Sequence, residues 1–414
     1  MSTAPALVSD LELPELDYTR PELRGERWHA EMGELMGSGH WLARSPLATL
    51  VLDREAGEFF LRTKAAIFPG LRIAELFGVT GGPLYEQIVR NIINVNGSDH
   101  QRLRALVNPA LAPRAVARYR PAMREFLETL WAPVVETGRC DFVEAIAKPY
   151  PSMTIATVMG APLEDAARLH DWSDWIQRQF DPVALSDAGE LATIQAKVGE
   201  FYDWVRPLIA RRRGTPGDDL ISHLIAAEAD GDRLSDPELE NLVLNVLVGG
   251  VDTTQSQLAQ AIRLLAQEPE QWAALRADPE ELSPRAVEEA LRFEPITPFT
   301  ARLLIEPVEY RGVTFPADTV ILVCAFSGNR DAEALADPAA FDITAERGKA
   351  RTLTFGAGIH FCVGANLARA EMQEGLAFLA RRIETLALDG EPELQGVTGI
   401  YGVDALPIAF TTAG

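Results

Sequence analysis

At 414 residues, with 47% hydrophobic residues and neither repeats nor a low-complexity tract, the chain can bury a sizeable core and reads as a single domain over residues 1–414. A formal net charge of −22 excludes a phosphate-neutralising nucleic-acid surface, and the most apolar stretch, around Leu242 to Val251, is too short and interrupted to span a bilayer, so no membrane association is expected. The N-terminal segment lacks the basic and apolar pattern of a signal peptide, and Cys140, Cys324 and Cys362 can form neither a disulfide framework nor a closed four-ligand metal site, which together predict a cytoplasmic protein.

Along the chain, residues 41–44 and 49–52 read as short strands joined by a Ser-Pro turn, and DREAGEFFLRTK follows as a helix. Between 68 and 98, glycines and mixed apolar residues give no clean period. HQRLRALVNPAL turns helical and sets His100 and Arg104 four apart on one face. Further helices are predicted over 114–130, 146–159, PLEDAARLHDWSDWIQRQF and ELATIQAKVGEFYDWVRPLIARRR, with Trp172, Trp175 and Phe180 as core or pocket-lid residues.

SDPELENLVLNVLVGGVDTTQSQLAQAIRLLAQ then reads as a helix of about thirty residues, with Ser235 as N-cap and Glu238 completing a capping box. Gly249, Gly250, Asp252, Thr253 and Thr254 sit at its middle, where poor helix formers override local propensity. The Thr253 hydroxyl can bond the Gly249 carbonyl and open the helix, while the missing side chains leave room for a small ligand. A close helix crossing at small residues is the other reading. Next, PRAVEEALRFEP pairs Glu289 with Arg292 at i, i+3. Strands follow over TARLLIEPVEYRGVTFPADTVILVC, the first opened by Arg302.

The stretch FGAGIHFCVGANLARAE carries the strongest signal. Phe355, Gly356, Gly358, His360 and Gly364 surround Cys362, and a helical spacing begins just beyond it. The unpaired N–H groups and positive dipole at such a helix start favour a thiolate, the metal-binding form. The string F-G-x-G-x-H-x-C-x-G with L-A-R-x-E resembles the haem-ligand loop of the cytochrome P-450 family at every fixed position. The alternative is a buried core cysteine.

That resemblance implies a mainly α fold with a smaller β-rich region, a long central helix crossing haem b (iron protoporphyrin IX), residues 68–98 as a loop covering the active site, and Cys362 as axial ligand. By the same resemblance His100, Arg104, Arg302 and His360 hold the haem propionates, and Phe355, Gly356, Gly364, Gly249 and Gly250 line the cofactor. Asp252 and Thr253 act on bound dioxygen, and Glu289 with Arg292 braces the proximal side. The family's third brace is an arginine in a D-P-x-R-F-D string, but Ala340 stands in its place here, leaving Arg330 or Arg347 as substitutes. Implied partners are an external ferredoxin with its reductase, dioxygen and an apolar small-molecule substrate, acting on a monomer. Arg102, Arg114, Arg118, Lys349 and Arg351 form a candidate basic docking patch. Ile93, Val95, Leu244, Val248, Val251, Ile296, Phe299, Ile400 and Tyr401 are the expected substrate pocket. A monooxygenase is the expected activity. A peroxide-driven peroxygenase and a haem-based ligand sensor are the rivals; the Asp252-Thr253 pair argues against the first, and the second needs no proton relay.

Overall fold

Ser235 opens the most apolar run of the chain with the expected capping box: its N–H and hydroxyl both donate to Glu238 Oε2 at 2.8 Å. In the computed structural model, which describes residues 5–229, 234–347 and 351–412, the run forms two helices rather than one, Asp236–Gly250 and Asp252–Gln267. They meet at Val251, whose ψ of −72° lies outside ideal helix geometry. The poor helix formers at this point therefore act as a break, as local propensity alone would have it.

The pair runs through the larger core. Around it pack Pro149–Met159, Ala166–Gln177, Ala188–Gly214, Pro279–Phe293 and Ala365–Arg382, whose inward faces supply buried residues such as Ile155, Trp172, Phe201, Leu258 and Leu376. Each such large apolar side chain contributes about 1.5–3 kcal/mol on burial, so the central helices are held from all sides. No helix among the described residues is long and apolar enough to cross a membrane.

Some strands, Ile383–Leu388 and Pro407–Thr412 among them, pack on this larger core, and the others make a smaller layer with its own core. A five-stranded sheet runs in the order Leu42–Arg44, Thr49–Val51, Val320–Cys324, Phe299–Leu304, Ala66–Ile67. The predicted N-terminal hairpin is present with Leu42 opposite Val51, and it adds in parallel to a strand from the C-terminal half. Val308–Tyr310 and Val313–Phe315 form the other expected hairpin. Its two-residue turn, Arg311 and Gly312, has both φ values positive, at 48° and 75°, the turn whose twist matches paired strands.

Three expectations change. The helix predicted over 114–130 is two, Pro113–Ala117 and Arg120–Trp131, each with a proline in its first turn where no N–H is needed. The one predicted from 146 begins as a π-helical turn, Val143–Ala147, before Pro149–Met159. The aperiodic stretch contains Gly70–Leu76 and Gly82–Arg90, too short for a period to emerge, and only then a non-helical segment leading to Gly97–Val107.

Candidate functional site

Cys362 sits between a short 3-10 turn, Gly358–His360, and the helix Ala365–Arg382. Its backbone N–H donates to Phe355 O (3.0 Å), and Gly356 N–H donates to Leu353 O (2.7 Å), folding the loop back on itself. Gly356 and Gly358 both have positive φ, at 68° and 72°, and a Cβ on Gly358 would press to 2.7 Å from Leu61 O, so the tight approach to the helix Arg54–Arg62 needs glycine there. Burial pushes the Cys362 thiol up. The Gly364 and Ala365 N–H groups and the charges of Arg104 and Arg369 work against that rise without overcoming it. The helix start therefore favours the thiolate as expected from sequence, and burial outweighs it.

Beside the loop, four basic side chains from three segments converge, two arginines and two imidazoles whose protonation burial disfavours. The His100 and His360 rings lie 4.5 Å apart between centroids, and Arg104 Nη1 donates to Phe361 O at 2.9 Å. Arg302 is buried, and its guanidinium donates to the neighbouring Ala301 O (2.8 Å). Burial alone lowers its pKa to about 10. His360 is held down to about 3 by burial and by the charges of His100, Arg302 and Arg104. Among the described residues no carboxylate pairs with any of the four. A buried, unpaired guanidinium is costly, so the cluster is built for an anion that the polypeptide does not supply.

The break between the central helices holds the other candidate site residues. Thr253 Oγ1 donates to Gly249 O at 2.6 Å, the bond expected from sequence. The two glycines do different work. A Cβ on Gly250 would press to 2.4 Å from Ile155 Cδ1, so Gly250 serves helix packing, whereas at Gly249 it would meet nothing within 4 Å. Gly249 thus borders open space. Asp252 is buried and its carboxyl is pushed up to about 7, by burial first, then by Asp174; Arg178 pulls the other way and Asp404 adds to the rise.

These features together match what three comparisons find. The family model for cytochrome P-450 matches residues 81–394. Luteothin monooxygenase of Streptomyces thioluteus is 36% identical over 413 residues, covering 100% of both chains, and erythromycin C-12 hydroxylase of Saccharopolyspora erythraea is 33% identical over 78% of each. The crystal structure of CalO2 superposes with a TM-score of 0.89 at 29% identity, covering 97% of this chain and 100% of that one. The chain belongs to the cytochrome P-450 family.

Haem is accordingly its cofactor and monooxygenation its class of chemistry, and the site fits the group. The arginines and imidazole N–H groups would suit propionates, the open space at Gly249 would leave room for a ligand, and Cys362 would offer the sulfur. The proximal brace of the family is also complete despite Ala340. Glu289 receives Arg292 Nη2 (2.7 Å) and Arg347 Nη2 (2.7 Å), and both arginines donate to the Ala340 carbonyl. Arg347 therefore replaces the missing arginine. Arg330 does not: its guanidinium stacks 3.6 Å above Phe326, and Nη2 is without a partner. Arg292 Nη1 also donates to Asn329 O, and Asn329 in turn bonds Leu353 N–H and the Thr354 hydroxyl, which carries the brace into the ligand loop.

The predicted pocket divides. Ile93, Val95, Phe299 and Ile400 keep partial exposure, and Val248 and Ile296 are buried to 5%. Leu244 and Val251 are fully buried in the main core. Tyr401 is a correction as well: it is fully buried against the N-terminal helix Gly25–Gly37, and its hydroxyl accepts from Gly25 N–H at 2.8 Å. Of the candidate docking patch, Arg102 pairs with Glu238 and Arg118 with Asp218, which offsets their charge. Arg114 and Arg351 are exposed, and Lys349 lies outside the described residues. Sequence reading passed over two residues. Glu371 is fully buried with neither carboxyl oxygen bonded, so burial raises its pKa well above the usual range; Thr154 works against the rise, yet its hydroxyl donates to Tyr150 O. Asn245, one turn before Gly249, is the other.

Proposed function

We propose that Cys362 ligates the haem iron, that His100, Arg104, Arg302 and His360 hold the propionates, and that the chain inserts one atom of dioxygen into an unactivated C–H or C=C bond of an apolar, moderate-sized substrate. The haem, when bound, supplies the redox chemistry with dioxygen. The chain's own residues shape the pocket and deliver protons. The carrying observation is the Asp252–Thr253 pair at the helix break. With a pKa of about 7, Asp252 gives and regains a proton near neutrality, the poise a general acid needs. Thr253, anchored to Gly249 O, keeps its hydroxyl oxygen free to accept from a water at the open gap. A peroxygenase has no use for such a relay, which favours the monooxygenase reading.

Thr253→Ala tests it: substrate binding and reduction should persist while most consumed dioxygen leaves as hydrogen peroxide. Unchanged coupling would sink the relay. Ligation is tested separately by the long-wavelength Soret band of a thiolate haem under carbon monoxide. The relatives named as acting on luteothin and erythromycin suggest a bulky natural-product substrate for this chain also. Electrons would come from an external ferredoxin, drawn by the exposed cations Arg114 and Arg351 beside the ligand loop. Reduction by ferredoxin should then slow as salt rises, the screening length shrinking from ~10 Å at 0.1 M to ~3 Å at 1 M; a salt-independent rate would move the docking site elsewhere.

A further inference from the structure

Between Asn241 and Val248 on the central helix, Asn245 alone keeps part of its surface exposed. Its Oδ1 accepts a hydrogen bond from the Ile92 backbone N–H at 3.1 Å. That bond orients the amide: the oxygen is turned to the segment covering the pocket, and Nδ2 with its two N–H groups is turned elsewhere. Among the described residues Nδ2 donates to nothing. It is not one of the sealed polar atoms left without a partner, so something entering the space beside it can reach it.

Residues four apart share a helix face, so Asn245, Gly249 and Thr253 stand in one row with about 6 Å of rise at each step. The row runs from a free amide donor, past the open space at Gly249, to the threonine of the proton relay. Ile93 and Val95, on the covering segment beside Ile92, are apolar and partly exposed. A lone donor in such surroundings is costly to desolvate unless an acceptor meets it, and this makes it a selector.

We propose that Asn245 determines substrate specificity: its Nδ2 donates to a carbonyl oxygen on an otherwise apolar substrate, and the anchored molecule extends along the row toward Thr253. The proposal rests on the haem-thiolate reading above. It narrows the substrate class to carbonyl compounds such as ketones, esters or lactones, and it places the oxidised carbon on the side of the carbonyl nearer Thr253.

The test uses haem-loaded protein and two iron-binding azoles of similar size, para-acetylphenyl imidazole and para-isopropylphenyl imidazole, titrated by the shift of the Soret band. Wild type should bind the acetyl probe about twofold to tenfold more tightly, the range of one neutral hydrogen bond. Asn245→Asp keeps an oxygen for the Ile92 N–H but replaces the donor, so it should abolish or reverse the preference while the isopropyl probe binds as before. Asn245→Leu removes both bonds and should likewise lose the preference. Equal affinities in wild type, or a preference that survives in Asn245→Asp, would overturn the proposal and show Asn245 to be a tie for the covering segment alone. If the reduced protein under carbon monoxide lacked the thiolate Soret band, the haem-thiolate reading itself would fall, and this proposal with it.

Discussion

The two sides of the haem site are held in different ways. On the ligand side, Glu289, Arg292, Arg347, Asn329 and Thr354 form a continuous set of buried hydrogen bonds, several of them charge-assisted, that ends in the backbone of the Cys362 loop. On the covering side the ties include Asn245 to Ile92, Asn241 Nδ2 to Gln87 O at 3.4 Å, Asn96 Oδ1 to His360 Nε2 at 3.2 Å, Thr398 Oγ1 to Asp181 Oδ2 at 3.1 Å, and an edge-to-face contact of Phe68 with Phe180 at 6.0 Å, none of them an ion pair. Networked charges fix one geometry, because losing any partner strands the others. Isolated neutral bonds, worth about 0.5–1.5 kcal/mol each, break one at a time. The Cys362 loop thus rests on a charged network, and the covering side on ties that carry no ion pair.

The sharpest way to break this contrast is at Glu289. Glu289→Ala leaves Arg292 and Arg347 without their carboxylate, and removing one member of a buried pair costs about 3–5 kcal/mol. Loss of haem content and a large drop in chemical-denaturation midpoint are expected. Arg347→Ala should cost less, since Arg292 keeps Glu289 paired. If Arg347 truly fills the vacancy left at position 340, Ala340→Arg should restore stability in the Arg347→Ala background and give nothing in the wild type. Rescue in neither background would show the two positions to be unrelated.

An intermediate effect is expected at Asp252, between the two sides. Its folded pKa of about 7 lies above its ordinary 3.8. A raised carboxyl pKa carries no penalty below 3.8, where both states are protonated; the penalty grows between about 4 and 7 and is complete above. Asp252→Asn should therefore stabilise the protein progressively as pH rises through that window. In turnover the sign is opposite, because the proton is what the relay needs: wild-type rate should decline above pH 7, and Asp252→Asn should be slower throughout with that decline removed. A wild-type rate flat from pH 6 to 8.5 (about one and a half units past the pKa) would exclude Asp252 as the donor.

The sequence made the ligand side legible where relations were local. The Cys362 string is one unbroken run from Phe355 to Glu371, and the Ser235 capping box and the Thr253 bond to Gly249 each span four residues or fewer, so spacing is enough to predict them. Arg347 reaches Glu289 across 58 residues, and only the packed chain brings it there. Gly249 and Gly250 are indistinguishable in a string, yet Ile155 crowds one and not the other. Leu244, Val251 and Tyr401 were expected in the pocket for being apolar and near the motifs. Which face of an element meets a cavity depends on neighbours far away in sequence, and those neighbours lie in the covering side, where Gly70–Leu76 and Gly82–Arg90 are too short to show a period.

The smallest effect expected belongs to that cover. Asp181 caps the short helix Pro182–Ser186 and reaches the turn near Ile400 through the Thr398 hydroxyl. Burial raises the Asp181 pKa, and the bonds from Val183 N–H and Thr398 offset part of the rise. Thr398→Val keeps the shape and deletes the bond, a loss of about 0.5–1.5 kcal/mol, or roughly twofold to tenfold in an equilibrium between closed and open cover. Because the bond is isolated, the melting temperature should hardly move, whereas a bound azole should leave the haem faster by about that factor in stopped-flow displacement. Equal loss in melting temperature and in ligand retention would mean that the cover is part of the same cooperative network as the Glu289 brace, and the contrast between the two sides would not hold.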